Sequence, residues 1–339
     1  MTGVSPTQRP LTSADVTYLL GASFGPHTRV LDAGPLAGGG YATVWWALLD
    51  DDRRVVLKLA PPAGTPLLRY ERGLCAAEER YFRLVAQRAP QVPVPPVLRR
   101  GTDPAYGEWL VSGMLPGRSL SDLAGAGVAV DDGPARHDLG VALAAVHRVT
   151  GERFGYDDDR AGGPTWRAAF TAMLDALLAD AADWEVRLPV APERLRALVA
   201  RHADVLDEVR RPALLHFDCW DGNVLAVPDR DGRLRLRGLV DGERFLYGDP
   251  LLDLVSPLLF RRVEDEPDHP LLRGYQGAAP EPLVLDASAR RRLGLYRLHL
   301  YLLMTVEMPS RGMTERSHPW RHARLAALLD EELAALATG

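Results

Sequence analysis

The chain has 339 residues, 47% of them hydrophobic and 25% charged, which is the composition of a soluble globular protein large enough for two lobes with separate cores. A formal net charge of −5 leaves no basic footprint for a polyanion and excludes nucleic acid as the principal partner. Cys75 and Cys219, the 2 cysteines, make neither a disulfide framework nor a metal-ligand spacing, so a reducing, cytoplasmic setting is expected. The first residues lack the apolar stretch of a secretory signal, and no run of roughly 20 apolar residues is present, so no membrane association is expected.

Residues 1–28 read as a polar extension with a short helix capped by Thr12 or Ser13. Residues 29–60 read as three strands, with Gly38, Gly39 and Gly40 between the first two. Bare glycine amides can approach a phosphate closely, but a plain hairpin turn has the same signature. Lys58 lies in the apolar strand VVLKLA and is either an edge-strand solubility device or a phosphate ligand. Residues 67–87 have helical spacing and carry Glu71, Glu78 and Glu79. The prolines of 89–101 exclude helix there, and 107–123 reads as strand, connector and helix. From residue 120 to about 211 the pattern is helical, with amphipathic stretches at 138–149, 165–184 and 193–209. The expected architecture is α+β and bilobal, with a β-rich lobe at 29–112 and a helical lobe at 113–339.

The chemistry concentrates in LLHFDCWDGNVL (214–225) and GLVDGERFLYGDPLLDL (238–254). Two strand-like runs each deliver a carboxylate, Asp218 and Asp241, with the amide of Asn223 beside the first. One base and one magnesium site side by side are the parts that phosphoryl transfer requires. The pattern H-x-D-x-x-x-x-N followed by D-x-E resembles the aminoglycoside phosphotransferase family, a branch of the protein-kinase-like fold, over about residues 30–260.

The resemblance implies Asp218 as catalytic base, Asn223 and Asp241 as ligands of Mg2+, and His216 as a brace of the loop. It implies ATP or GTP as co-substrate, with phosphates under Gly38, Gly39 and Gly40 and on Lys58. Glu78 would orient Lys58, since Tyr81 and Phe82 follow it as in similar small-molecule kinases; Glu79 is the alternative. Residues 113–115 would be a hinge, with Ser112 and Met114 offering backbone groups to a purine. GDPLLDL matches the family's G-D-P-x-x-D-L tail, with Asp249 capping a helix and Asp253 turned back onto catalytic-loop amides. Two positions depart from the pattern: Phe217 replaces a small residue and Gly242 an aromatic one.

The Ala-, Arg- and Leu-rich composition is that of a high-GC bacterium, where the family context favours an antibiotic as the hydroxylated acceptor. Aminoglycoside, macrolide, peptide and nucleoside antibiotics all remain open, as do sugar, choline-like and homoserine-like acceptors. Trp220, Asp221, Glu243, His299 and Glu307 are the substrate-side candidates. Glu307 falls on the apolar face of a helix at 290–308 and needs a partner, either Arg311 or the substrate. A hydrolase metal pair at His216 and Asp218 lacks further ligands in similar contexts. A nucleotide-binding regulator would lack one of the reacting groups, and a protein kinase would need an activation loop after Asp241.

Overall fold

The computed structural model describes residues 5–36, 39–126, 131–158 and 160–338. Helix α1 (Ser13–Phe24) starts in a reciprocal capping box: Asp15 N donates to the Thr12 hydroxyl, and Thr12 N donates to the Asp15 carboxylate. Strands β1 (Val30–Pro35), β2 (Thr43–Leu49), β3 (Arg54–Leu59), β4 (Val97–Asp103) and β5 (Gly107–Gly113) form an antiparallel sheet in the order β1-β2-β3-β5-β4. Alternation along β3 decides what each face does. Val55, Leu57 and Leu59 pack under Val16, Leu19 and Leu20 of α1, whereas Val56 and Lys58 face the cleft. The segment expected as an extension therefore supplies one side of this lobe's core. Residues 5–9 also strap the glycine loop: Gln8 Nε2 donates to Gly39 O (2.8 Å) and Ala42 O (3.0 Å), and Thr7 Oγ1 to Gly40 O (3.1 Å).

Helix α2 (Leu74–Arg88) starts seven residues later than the apolar spacing predicts. Gly73 takes φ +69°, and a single 3-10 turn, Arg69–Glu71, precedes it, with Glu71 accepting from Leu68 N (2.8 Å). Glu71 is thereby buried outside the helix.

The larger lobe continues with β6 (Arg118–Ser119), α3 (Leu120–Gly125), α4 (Gly133–Val146), β7 (Phe154–Tyr156), β8 (Gly162–Gly163), α5 (Trp166–Asp183), α6 (Pro192–Arg201) and α7 (Ala203–Leu206). Then follow β9 (Ala213–Leu215), β10 (Val224–Pro228), β11 (Leu234–Leu239), β12 (Leu246–Gly248), α8 (Pro270–Ala278), α9 (Ala287–Ser310) and α10 (Pro319–Thr338). Of the two small sheets, β11-β10-β6 and β8-β7-β12-β9, the first reaches the cleft through Arg118, Ser119 and Leu225, and α9 is buried along most of its length. β7 and β8 form inside a Gly/Asp stretch that the sequence marks only as loop. Among the described residues, no helix is long and apolar enough to cross a membrane.

Candidate active site

β9 ends at Leu215, and the next residues turn into the cleft through strained backbone. Phe217 at φ +70° and Asp241 at φ +59° both adopt the left-handed region, which is costly for side chains other than glycine. Fully buried Asp253 holds the first of these turns, accepting from His216 N (2.8 Å), Phe217 N (2.6 Å) and His147 Nε2 (3.0 Å). His216 joins the two carboxylate-bearing loops. Its Nε2 donates to Val240 O (3.0 Å) and its Nδ1 accepts from Asp218 N (3.3 Å), so the ring braces both loops. Asp249 caps the turn that follows GDP, accepting from Leu251 N (3.1 Å) and Tyr296 OH (2.7 Å).

The cleft holds a compact charge cluster. Lys58 Nζ lies 3.0 Å from Glu78 and 2.8 Å from Asp241, and also meets Glu243. Glu79 instead faces out to Arg83 (2.9 Å) and Arg100 (2.5 Å). Burial opposes the charge on Lys58, but the three carboxylates outweigh it and hold the ammonium well above its usual range. Burial pushes Glu78 up to about 8, with Glu243 and Asp241 adding repulsion against the pull of Lys58. Asp241 ends below the carboxylate norm because Lys58 outweighs its burial. Asp218 is raised by burial, against the pull of Arg244, although 23% of its side chain stays open to the cleft.

Asn223 donates Nδ2 to Asp218 O (2.8 Å), leaving its carbonyl oxygen without a partner among the described residues. That oxygen and the Asp241 carboxylate are hard donors of the kind magnesium takes. Carboxylate oxygens of Glu78, Asp241 and Glu243 also lie within 4.8 Å of one another, around the Lys58 ammonium.

Two cavities meet at Lys58, Trp220, Asn223 and Asp241. The first, about 380 Å³, runs from Gly39, Val44 and Val56 to Ser112 and Met114 over a floor of Leu225 and Val240. The second, about 430 Å³, contains Asp218, Gly39, Gly40, Glu243, Arg244 and Glu307, with Leu259, Leu300, Met304 and Met308 as its apolar side. Gly38 lies outside the described residues. Met114 N–H is already given to Arg54 O (3.0 Å), which removes it as a donor to a base.

Two of the substrate-side candidates stand elsewhere. Asp221 forms a two-pronged pair with Arg136, 3.0 Å on each prong, and clamps the loop that carries Asp218 to α4. A charged residue early in α4 captured it, which the local sequence around Asp221 does not show. His299 is buried beside Phe170 and Phe217 and lines a third cavity. Glu307 lines the second cavity, but its partner is Arg244 (2.9 Å), together with Tyr70; Arg311 is 4.0 Å away and pairs with Glu71. Arg244 is the residue that sequence reasoning missed. It lies 3.7 Å from Asp218, and its position directly after D-G-E was the available signal.

The model of a phosphotransferase enzyme family matches residues 32–290. A relative from Lactiplantibacillus plantarum described as a ketoamine kinase is 28% identical over 183 residues, covering 50% of this chain and 59% of its own length. A structure described as a fructosamine-3-kinase of Thermobifida fusca superposes with a TM-score of 0.65 at 21% identity, over 97% of this chain and 100% of that one. Aminoglycoside phosphotransferase APH(4)-Ia gives 0.57 at 20% identity, over 94% of this chain and 99% of that one. A macrolide 2'-phosphotransferase type I also gives 0.57, at 18% identity, over 95% and 99%. The fold is the bilobal one that these kinases share, and the chain belongs to the phosphotransferase enzyme family.

Proposed function

We propose that the chain transfers the γ-phosphoryl group of ATP to a hydroxyl of a small molecule held in the cavity beside Asp218. The observation that carries this reading is the meeting of two cavities at Lys58, Asn223 and Asp241, with Asp218 opening only into the second. The nucleotide lies in the first cavity, where the amide of Leu115 replaces that of Met114 as donor to the purine. ATP is preferred to GTP because a thermostable mutant of APH(4)-Ia, which shares the fold, forms a ternary complex with AMP-PNP and hygromycin B.

Lys58, oriented by Glu78, steadies the phosphates. Magnesium on Asn223 and Asp241, when bound, offsets charge on the transferred group. Asp218 takes the proton as the acceptor oxygen bonds to the γ-phosphorus and the bond to the β-bridging oxygen breaks, releasing ADP. A carboxyl raised by burial suits that task better than an ordinary one.

The acceptor is a hydroxylated compound with an apolar face and few positive charges. Glu307 and Glu243, the carboxylates a polycation would seek, are already paired with Arg244 and Lys58. Leu259, Leu300, Met304 and Met308 offer the apolar contact. An antibiotic of macrolide type fits this better than an aminoglycoside. A ketoamine sugar is the second reading, favoured by the relative that matches half of the chain.

Mass spectrometry of hydroxylated antibiotics and ketoamines incubated with enzyme, magnesium and ATP tests the proposal, with Asp218→Asn as control. The expected result is one added phosphoryl group on one compound class, absent with the variant. Unchanged turnover by Asp218→Asn would remove the assigned base, and product from aminoglycosides alone would overturn the acceptor reading.

A further inference from the structure

The glycine loop is held from both lobes. On one side the strap at residues 5–9 binds its carbonyl groups. On the other stands Arg311, the residue that ends α9. We propose that Arg311 is a positioning residue for phosphoryl transfer, a role that presupposes the transfer reading: from the acceptor helix it fixes residues 39–42 over the nucleotide phosphates.

Three contacts converge on this arginine. Its guanidinium pairs with Glu71, and the two side chains are 6% and 0% exposed. It lies 5.1 Å over the Tyr41 ring, and the Tyr41 hydroxyl donates to Glu71 O (2.9 Å). A Cβ built on Gly40 would stand 3.7 Å from Arg311 Cδ, so bare backbone rests against the arginine stem. Arg311, Glu71 and Tyr41 thereby form one closed unit that joins the end of α9, the turn ahead of α2 and the glycine loop. The strap reaches the same end of α9, because a Cβ on Gly312 would meet Pro6 at 3.3 Å.

The placement argues for more than stability. A buried ion pair is often no more stabilising than apolar side chains of the same volume, yet once made it fixes where its partners stand. Gly39 and Gly40 have no side chains to anchor them, and glycine loses more freedom on ordering than any other residue. Both line the cavity that contains Asp218, and so does Arg311. Because Glu71 engages the guanidinium, Arg311 acts on the phosphates through the loop rather than by touching them. Leu300, Met304 and Met308 of the same helix form the acceptor's apolar wall. One helix thus carries both the surface that seats the acceptor and the side chain that holds the loop. Transfer tolerates little error between the two, since a misplacement of about 1 Å can cost about 100-fold in rate.

Amide hydrogen exchange of the full chain, together with titration of AMP-PNP and magnesium, tests this. Arg311→Met should speed exchange at residues 39–43 while α4 and α10 stay protected. It should also weaken AMP-PNP about tenfold, the loss expected if the loop is in place about a tenth of the time. Arg311→Lys should restore part of both. Arg311→Met strands Glu71 in the interior, so Tyr41→Leu is the second variant in case the first fails to fold. It keeps the ion pair, removes the ring and its hydroxyl, and should loosen the same amides. Wild-type exchange and affinity in the folded variants, or exchange raised equally in α4 and α10 by Tyr41→Leu, overturns the proposal and leaves the ion pair as a packing element. Absence of AMP-PNP binding by wild type overturns the transfer reading as well, which unaffected variants would not.

Discussion

Tyr81 fills the space in which a side chain at residue 242 would stand: a Cβ built on Gly242 overlaps the Tyr81 ring. That ring is fully buried, edge-on to His216 at 5.2 Å and tilted against Phe245 at 5.6 Å. The Tyr81 ring on α2, three residues beyond Glu78, thus occupies the place of a side chain at residue 242. Gly242→Ala should displace Tyr81 and cost roughly 1–3 kcal/mol, seen as a lower Tm. Adding Tyr81→Leu should recover part of the loss. Strictly additive losses would rule out the packing explanation.

Arg244 bridges Glu307 and Asp218 and lies 5.3 Å over the Tyr70 ring. Burial opposes its charge, but Glu307, Tyr70 and Asp218 hold it well above its usual range. Arg244→Met leaves buried Glu307 with the Tyr70 hydroxyl but with no cation nearer than Arg311 at 4.0 Å, and should cost about 3 kcal/mol in urea unfolding. Arg244→Met with Glu307→Leu should be more stable than Arg244→Met alone. If it is less stable, Glu307 has another main partner.

His299 supplies a pH signature. Burial alone pulls its pKa from 6.5 to about 4. The unfolded chain therefore binds the proton first, so this residue's contribution is present above pH 6.5 and is lost as pH falls toward 4, by about 3 kcal/mol in all. Relative to His299→Leu, wild type should lose stability as pH falls through that window. A difference that stays flat with pH would mean the ring is not buried in its neutral form.

Gln8 gives the fourth expectation. Gln8→Ala removes the donor to Gly39 O and Ala42 O, and should raise the KM for ATP several-fold while leaving the KM for the acceptor near wild type. Equal effects on both would show a general loss of fold rather than a loosened loop.

The candidate catalytic block, residues 214–241, was readable because its groups are close in sequence and the proposed chemistry constrains their spacing. Asp218, Asn223 and Asp241 come together as the pattern predicts, and Glu78 rather than Glu79 meets Lys58. What escaped depends on partners far along the chain. Asp221 is fixed by Arg136, 85 positions earlier, and Glu307 by Tyr70, 237 positions away. The late start of α2 had a local cause, Gly73 in a left-handed turn, but apolar spacing alone ran through it.

The strap formed by residues 5–9 changes where this lobe can be cut. A graft onto a related scaffold that begins at β1 would carry the glycine loop without its anchor, because the contacts from Thr7 and Gln8 span 31 to 34 positions. It would also leave behind α1, and with it Val16, Leu19 and Leu20 from the face opposite the cleft. A graft that keeps the glycine loop anchored therefore has to include residues 5–9 and α1, and a fusion partner joined immediately ahead of residue 5 would stand beside that loop rather than at a remote tail.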